Sequence, residues 1–345
     1  CQYVKDAFDS NWIAPAGPHI PAFENNLSKI SKDYHIAALS SGTAAIHLAL
    51  LLLGIKREDE VLCSSFTFSA SANPITYLGA HPIFIDSESD TWNMCPELLE
   101  EAITDKISKG KKPKAIMLVH LYGMPAKMDE IMHIANKYEI PVIEDAAEAL
   151  GSTYNHQPLG TFGDFGIYSF NGNKIITTSG GGALVCQDEE MIEKARFLAT
   201  QARDETPHYE HSKIGYNYRL SNVCAAIGLG QLEVLDKRVM QKRKINEYYK
   251  KEFSSINEIS FLKENEGSCS NFWLTTILLD TNSAIDSEEL RLHLEKDNIE
   301  SRPLWKPMHI QPIFKDCMSY TNGVSEDLFK RGLCLPSGTN MPEQE

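Results

Sequence analysis

The sequence predicts an α/β fold in which a parallel or mixed sheet, mostly parallel in its centre, is sandwiched by helices, and three observations predict it. Short apolar segments recur without polar alternation, as strands buried on both faces do. Helical patterns separate them through the first two thirds of the chain. Serine, glycine and acidic residues directly follow several of these segments, at the strand ends where such sheets gather their ligands.

Each element has its own signal. Ser40-Ser41-Gly42-Thr43 precedes an apolar run over residues 44–53, and Gly54 follows. That is an N-cap, a buried helix and a C-cap glycine in order. Buried strands are expected at 61–63, 82–86, 115–120 and 141–145. A further strand near 165–170 leads into a polar turn, and another follows at 183–186. Residues 222–253 read as one long helix, small and apolar in its first half. Its second half carries Lys237, Arg238, Lys242, Arg243, Lys244, Lys250 and Lys251, which reads as a solvated face. Beyond it, strands at 272–279 and 299–304 flank a helical stretch at 283–297. The expected division is a large domain over 1–235 and a smaller α+β domain over 236–345.

The 345 residues suffice for roughly two domains with ample core. Acidic residues outnumber basic ones 47 to 33, and a net charge of −14 argues against nucleic acid and anionic membranes as partners. The eight cysteines are scattered without a CxxC and read as reduced thiols of a cytoplasmic protein. No signal peptide is visible. The longest apolar stretch, 44–55, contains His47 and is too short to cross a bilayer. The sequence starts at Cys1 and stops at Gln344-Glu345, and both ends are expected to be truncated.

Four local features carry chemistry. Asn171-Gly172-Asn173-Lys174 is a polar turn between two buried strands. An amine there is shielded from water, and desolvation frees its lone pair for carbonyl chemistry; the ordinary alternative is a turn lysine. Glu144-Asp145 ends a buried strand, and Glu148 follows in a small-residue turn. A carboxylate so placed needs a cation or hydrogen bonds, or it caps the next helix. Ser41-Gly42-Thr43 offers hydroxyls and free amides at a helix N-terminus, as an anion cradle or simply as a cap. Phe68 follows a strand end and is either a stacking face or core. Together these are the parts that hold pyridoxal 5'-phosphate: a cradle for its phosphate, a face for its ring, a carboxylate for its nitrogen and an amine for its aldehyde. His208 and His211 form an HxxH without a third ligand at metal spacing, so no metal is expected.

The sequence resembles the fold-type I pyridoxal phosphate enzymes, and among them the DegT-type sugar-nucleotide aminotransferases. The resemblance runs from Asn11-Trp12-Ile13-Ala14-Pro15-Ala16-Gly17 to Leu335-Pro336-Ser337-Gly338-Thr339. It rests on Ser41-Gly42-Thr43-Ala44-Ala45, Glu144-Asp145-Ala146-Ala147 and Gly215-Tyr216-Asn217-Tyr218-Arg219. It implies that Lys174 is the Schiff-base lysine, Asp145 the partner of the pyridine nitrogen and Phe68 the stacking ring. It implies that Gly42, Thr43 and Ser169 bind the phosphate, joined by Asn217 of a neighbouring subunit, so that a homodimer is the minimal unit. Glu148 stands near the cofactor's phenolic oxygen, where many relatives carry Gln or His. Arg219, Arg302, Lys306 and His309 are the implied substrate contacts. Lys174 stands where related sugar dehydratases carry histidine. Asn171 and the segment Ser169 to Gly182 resemble the bacillosamine-pathway branch. That resemblance implies transfer of an amine from L-glutamate to C4 of a UDP-linked 4-keto-6-deoxy-N-acetylhexosamine; a GDP- or dTDP-linked keto-sugar is the alternative, and a non-catalytic regulator that binds the cofactor the other.

Overall fold

The computed structural model describes residues 2–341; Cys1 and the Gln344-Glu345 terminus lie outside them. The main sheet draws seven strands from the first 186 residues: β1 (His35–Leu39), β2 (Glu60–Ser64), β3 (His81–Ile85), β4 (Ala115–Val119), β5 (Val142–Asp145), β6 (Phe165–Ser169) and β7 (Gly182–Cys186). Later come β8 (Ile259–Phe261), β9 (Thr276–Leu279), β10 (Arg302–Pro303), β11 (Ser319–Tyr320) and β12 (Gly332–Cys334). The main sheet has the order β1-β7-β6-β5-β4-β2-β3-β11. Only β7 is antiparallel to its neighbours, because the chain turns straight back after β6. A smaller antiparallel sheet has the order β8-β9-β12-β10.

The unalternating strands are buried on both faces, as their composition requires. On β1, Ala37 and Leu39 join one core with the helix Gly42–Leu52, while Ile36 and Ala38 join the core on the opposite face. On β4, Ala115 and Met117 face one way and Ile116 and Leu118 the other. Ser41 caps its helix as expected, its hydroxyl accepting from the Ala44 N–H at 3.0 Å, and Gly54 beyond the helix takes a left-handed φ of 73°. Because β1, β5 and β6 run parallel, Ser41, Asp145 and Ser169 emerge at one edge of the sheet.

Four expectations are corrected. Residues 222–253 form two helices, Asn222–Leu232 and Leu235–Glu252. The chain leaves helical geometry at Val234 (φ −117°, ψ 9°), and Leu235 then turns into the core beside Gly151. The basic run is not a uniform solvated face. Lys237, Lys244 and Lys251 are exposed, but Lys242 is buried and Arg243 holds Glu264 with paired bonds of 2.6 and 3.0 Å. The strand expected over 272–279 shrinks to β9. Phe272 is left-handed (φ 44°), and Asn271 fastens this stretch to the loop after β5, donating to the carbonyls of Glu148 and Leu150 at 2.9 Å. Backbone groups that a strand would pair are thus taken by side chains. Similarly, only Arg302–Pro303 of 299–304 is strand, whereas the predicted helix forms at Ser287–Lys296 with Asp286 and Glu289 in a capping box.

Candidate active site

The C-terminal edge of the main sheet opens into a cavity of about 330 Å³ lined by Gly42, Thr43, Phe68, Asp145, Glu148, Ser169 and Lys174. Seven of the sequence-derived residues therefore meet in one place. Asn171 lines it too, but exposed and hydrogen-bonded only within its own turn.

Lys174 sits in the connection between β6 and β7. Its backbone N–H donates to the Asn171 carbonyl at 3.0 Å, which tightens the turn and points the side chain inward. Its Nζ lies 3.6 Å from Glu148 Oε1 and 4.1 Å from the centre of the Trp273 ring. The Trp273 indole N–H in turn donates to the Asn173 carbonyl at 2.8 Å, so the same residue that covers the amine also braces its turn.

The two carboxylates at the end of β5 have opposite fates, because successive side chains on a strand face opposite ways. Glu144 is fully buried on the far face. It accepts from the N–H groups of Gly160, Phe162 and Gly163 at 2.6–2.9 Å and from His120 Nε2 at 3.0 Å. It holds a loop. Asp145 faces the cavity, with one oxygen accepting from Ser71 Oγ at 2.6 Å and the other from the Ala147 N–H at 3.1 Å. Ser71 Oγ lies 2.8 Å from Thr67 Oγ1, so the acid is oriented from the β2 side.

The helix Gly42–Leu52 points its N-terminus at Ser169 across a gap that is tight at position 42 and closed to any side chain at position 182. A Cβ on Gly42 would come within 3.3 Å of Ser169 Cβ, and one on neighbouring Gly182 within 2.3 Å of the Gly42 nitrogen. Backbone amides and two hydroxyls thus stand clear for an anion. Phe68 is 52% exposed, which separates it from the buried aromatics of the core, and its ring centre lies 5.4 Å from that of Trp305.

Glu148 is buried, with Oε2 accepting from the Tyr122 N–H at 2.7 Å. Burial raises its pKa, against the lowering pull of Lys174 and of that N–H. A carboxyl raised in the folded state favours folding below its ordinary value of 4.5 and loses that contribution as pH rises through the folded value. Glu148→Gln is expected to remove this decline. Urea unfolding of the apoprotein at pH 4 and pH 7 should show the variant gaining on wild type at the higher pH; an unchanged difference would contradict it.

Arg302 and Lys306 line a wider cleft of about 910 Å³ that shares Thr67, Phe68, Asn173, Trp273 and Trp305 with the cavity. Arg302 is paired with Glu300 at its rim. His309 turns away, held by Ser65 Oγ at 2.6 Å and Glu326 at 3.2 Å. Asn217 and Arg219 are exposed and lie outside the cavity of their own chain. His208 and His211 lie in an exposed loop, His211 against the Gln201 carbonyl; among the described residues no group of three potential ligands could hold a metal. Sequence reasoning missed Ser71, Thr67, Tyr122 and Trp273. Ser71 and Thr67 follow the β2 end only a few residues from Phe68, which was the available signal; Trp273 and Tyr122 had none.

The full chain, residues 1–345, matches the model of the DegT/DnrJ/EryC1/StrS aminotransferase family. The chain belongs to this family. EpsN of Bacillus subtilis, whose name places it provisionally among pyridoxal phosphate-dependent aminotransferases, is 54% identical, over 99% of this chain and 89% of its own length. GDP-perosamine synthase of Escherichia coli O157:H7 is 41% identical over 100% of this chain and 92% of its own length. UDP-4-amino-4,6-dideoxy-N-acetyl-beta-L-altrosamine transaminase of Campylobacter jejuni is 34% identical over 95% and 87%. The pyridoxal phosphate form of a sugar aminotransferase named for Streptococcus pneumoniae superposes with a TM-score of 0.92 at 28% identity, covering 99% of this chain and 92% of that one. This DegT-family chain is a pyridoxal phosphate-dependent sugar-nucleotide aminotransferase with the fold of those enzymes. The cavity fits the cofactor, since an amine, an acid, an aromatic face and an amide cradle surround one space and glycine keeps the cradle clear. Among the described residues no helix is long and apolar enough to cross a membrane.

Proposed function

We propose that the enzyme moves an amino group from L-glutamate to C4 of a UDP-linked 4-keto-6-deoxy-N-acetylhexosamine. The observation that carries the aminotransferase chemistry is the convergence of Lys174 and Asp145 on one cavity beside the Gly42 cradle. Bound there, pyridoxal phosphate supplies an aldehyde that accepts the amine and a ring that takes up charge from the donor's α-carbon. Lys174 Nζ is the amine that would hold the aldehyde, and the same amine would move the proton at the reacting carbon. Asp145 keeps the ring nitrogen protonated, with Ser71 fixing its angle. Phe68 would stack on the ring, Gly42, Thr43 and Ser169 would hold the phosphate, and Glu148 would border the phenolic oxygen. Asn217, exposed on its own chain, would reach the cofactor phosphate in the site of the second subunit of a homodimer, and Arg219 would contact substrate. Arg302 and Lys306 give the outer cleft its positive side, which a nucleotide diphosphate requires in a chain of net charge −14.

The choice of UDP rests on the likeness of Asn171 and the 169–182 segment to the bacillosamine branch. A GDP-linked sugar is the second reading, favoured by the 41% identity to GDP-perosamine synthase. Purified enzyme should be given L-glutamate and, in parallel, UDP-, GDP- and dTDP-linked 4-keto-6-deoxy sugars, with the amine product quantified by mass spectrometry. The UDP acceptor is expected to lead by about 10-fold or more in kcat/KM. A GDP lead selects the second reading, and no amine from any of them removes both.

A further inference from the structure

Lys242 is a buried amine that the chemistry above does not use. It lies on the helix Leu235–Glu252 at 8% exposure. Its Nζ donates to the Trp273 carbonyl at 2.9 Å and to the Ser337 carbonyl at 2.6 Å. Among the described residues it has no carboxylate within salt-bridge reach and no other donor serves those two carbonyls. Burial, with repulsion from Arg238 added, lowers its pKa to about 8. An unpaired ammonium is costly to bury, and an apolar side chain of the same length would pack a helix interior at less cost. What the ammonium does instead is join two segments that carry no sheet pairing at these positions.

Both segments wall the cleft, and one of them touches the reacting amine. Trp273 is held at every polar point it has. Its N–H donates to Asn271 Oδ1 at 2.8 Å, its indole N–H to the Asn173 carbonyl, and its carbonyl accepts from Lys242. Its ring then stands 4.1 Å from Lys174 Nζ. On the other wall, Ser337 Oγ accepts from the Thr275 N–H at 2.9 Å, so the two segments move together. Of these restraints, Lys242 is the one supplied by the helix Leu235–Glu252.

We propose that Lys242 is a positioning residue of the active site, gripping the Trp273 carbonyl from behind so that the indole is set against the Lys174 amine and the two cleft walls stay in register. This rests on the reading of Lys174 as the cofactor-bearing amine.

The test compares Lys242→Met, which removes both hydrogen bonds, with Lys242→Arg, which keeps the donors. Amide hydrogen exchange of the apoprotein should quicken in Lys242→Met at residues 272–276 and 335–339 and stay unchanged elsewhere. In the holoenzyme, the single-turnover amino-donor half-reaction, followed by the cofactor's absorbance, should slow by about 10-fold. Lys242→Arg should restore both readouts. In a Trp273→Leu background, Lys242→Met should add less than about 2-fold. If Lys242→Met does not fold, Lys242→Leu, which also lacks any donor, takes its place. Exchange at wild-type rates in both segments overturns the proposal, and so does a full 10-fold loss in the Trp273→Leu background. The exchange readout needs no cofactor or sugar, so a wild-type enzyme with no half-reaction would refute the Lys174 reading while leaving the Lys242 contact separately measurable.

Discussion

Lys174→Ala is expected to lower turnover by about four orders of magnitude or more while leaving the protein folded. The size of the loss follows from two duties that the proposed function gives to one atom. Nζ would anchor the cofactor, and the same Nζ would carry the proton at the reacting carbon. Alanine abolishes both, and the structure offers no substitute. Within the cavity the nearest titratable neighbour is Glu148, whose Oε1 is 3.6 Å from Nζ but whose other oxygen is committed to the Tyr122 N–H. Stability should change little, because the turn is held by backbone bonds from Lys174 N to Asn171 O and from Thr178 N to Phe170 O that alanine retains. The contact with the Trp273 ring is lost, at about 1–2 kcal/mol. Steady-state rates alongside circular dichroism and urea unfolding check the result. Activity within about 10-fold of wild type would remove Lys174 from the chemistry.

Asp145→Asn is the second large effect. The amide matches the carboxylate in shape and still accepts from Ser71, but its NH2 then faces the Ala147 N–H and that bond is lost, so a stability loss of about 1–2 kcal/mol is expected. It cannot hold a proton on a pyridine nitrogen by charge. Without that proton the ring is a poor acceptor of the electrons released at the substrate carbon. A fall of about 10³ in the single-turnover rate with glutamate is expected, the scale of removing a preorganised electrostatic partner. Ser71→Ala leaves the charge and loosens only its orientation, so its cost should be about 10-fold. A loss at Ser71 equal to that at Asp145 would mean that geometry, not charge, is what the acid supplies.

Much of this site was legible in the sequence because its parts are local. Ser41-Gly42-Thr43 caps a helix, Asp145 ends a strand, and Lys174 sits in a turn between strands; each motif fixes both its element and its position on the sheet edge. The choice between Glu144 and Asp145 was not local. It depends on which face of β5 looks onto the cavity, and that is decided by the loop at 160–163, whose N–H groups claim Glu144. Trp273 lies in a stretch whose apolar and β-branched residues predict a strand. It is instead pulled into the site by Asn271, a residue 123 positions from the Glu148 carbonyl it binds. The charge run on the helix Leu235–Glu252 was legible as charge but not as burial. Nothing in the spacing of Lys242 distinguishes it from exposed Lys237 and Lys244, since its partners are backbone carbonyls supplied by distant segments.

The claim on which the rest depends is that Lys174 carries the cofactor, and borohydride reduction of the holoenzyme tests it most directly. Reduction fixes any bond between an amine and the cofactor aldehyde, and proteolysis with mass spectrometry locates it. The account predicts a pyridoxyl phosphate mass on the peptide containing Lys174 and on no other, absent from Lys174→Ala. A tag on a different lysine, or an untagged Lys174 peptide from protein that visibly holds the cofactor, would contradict it.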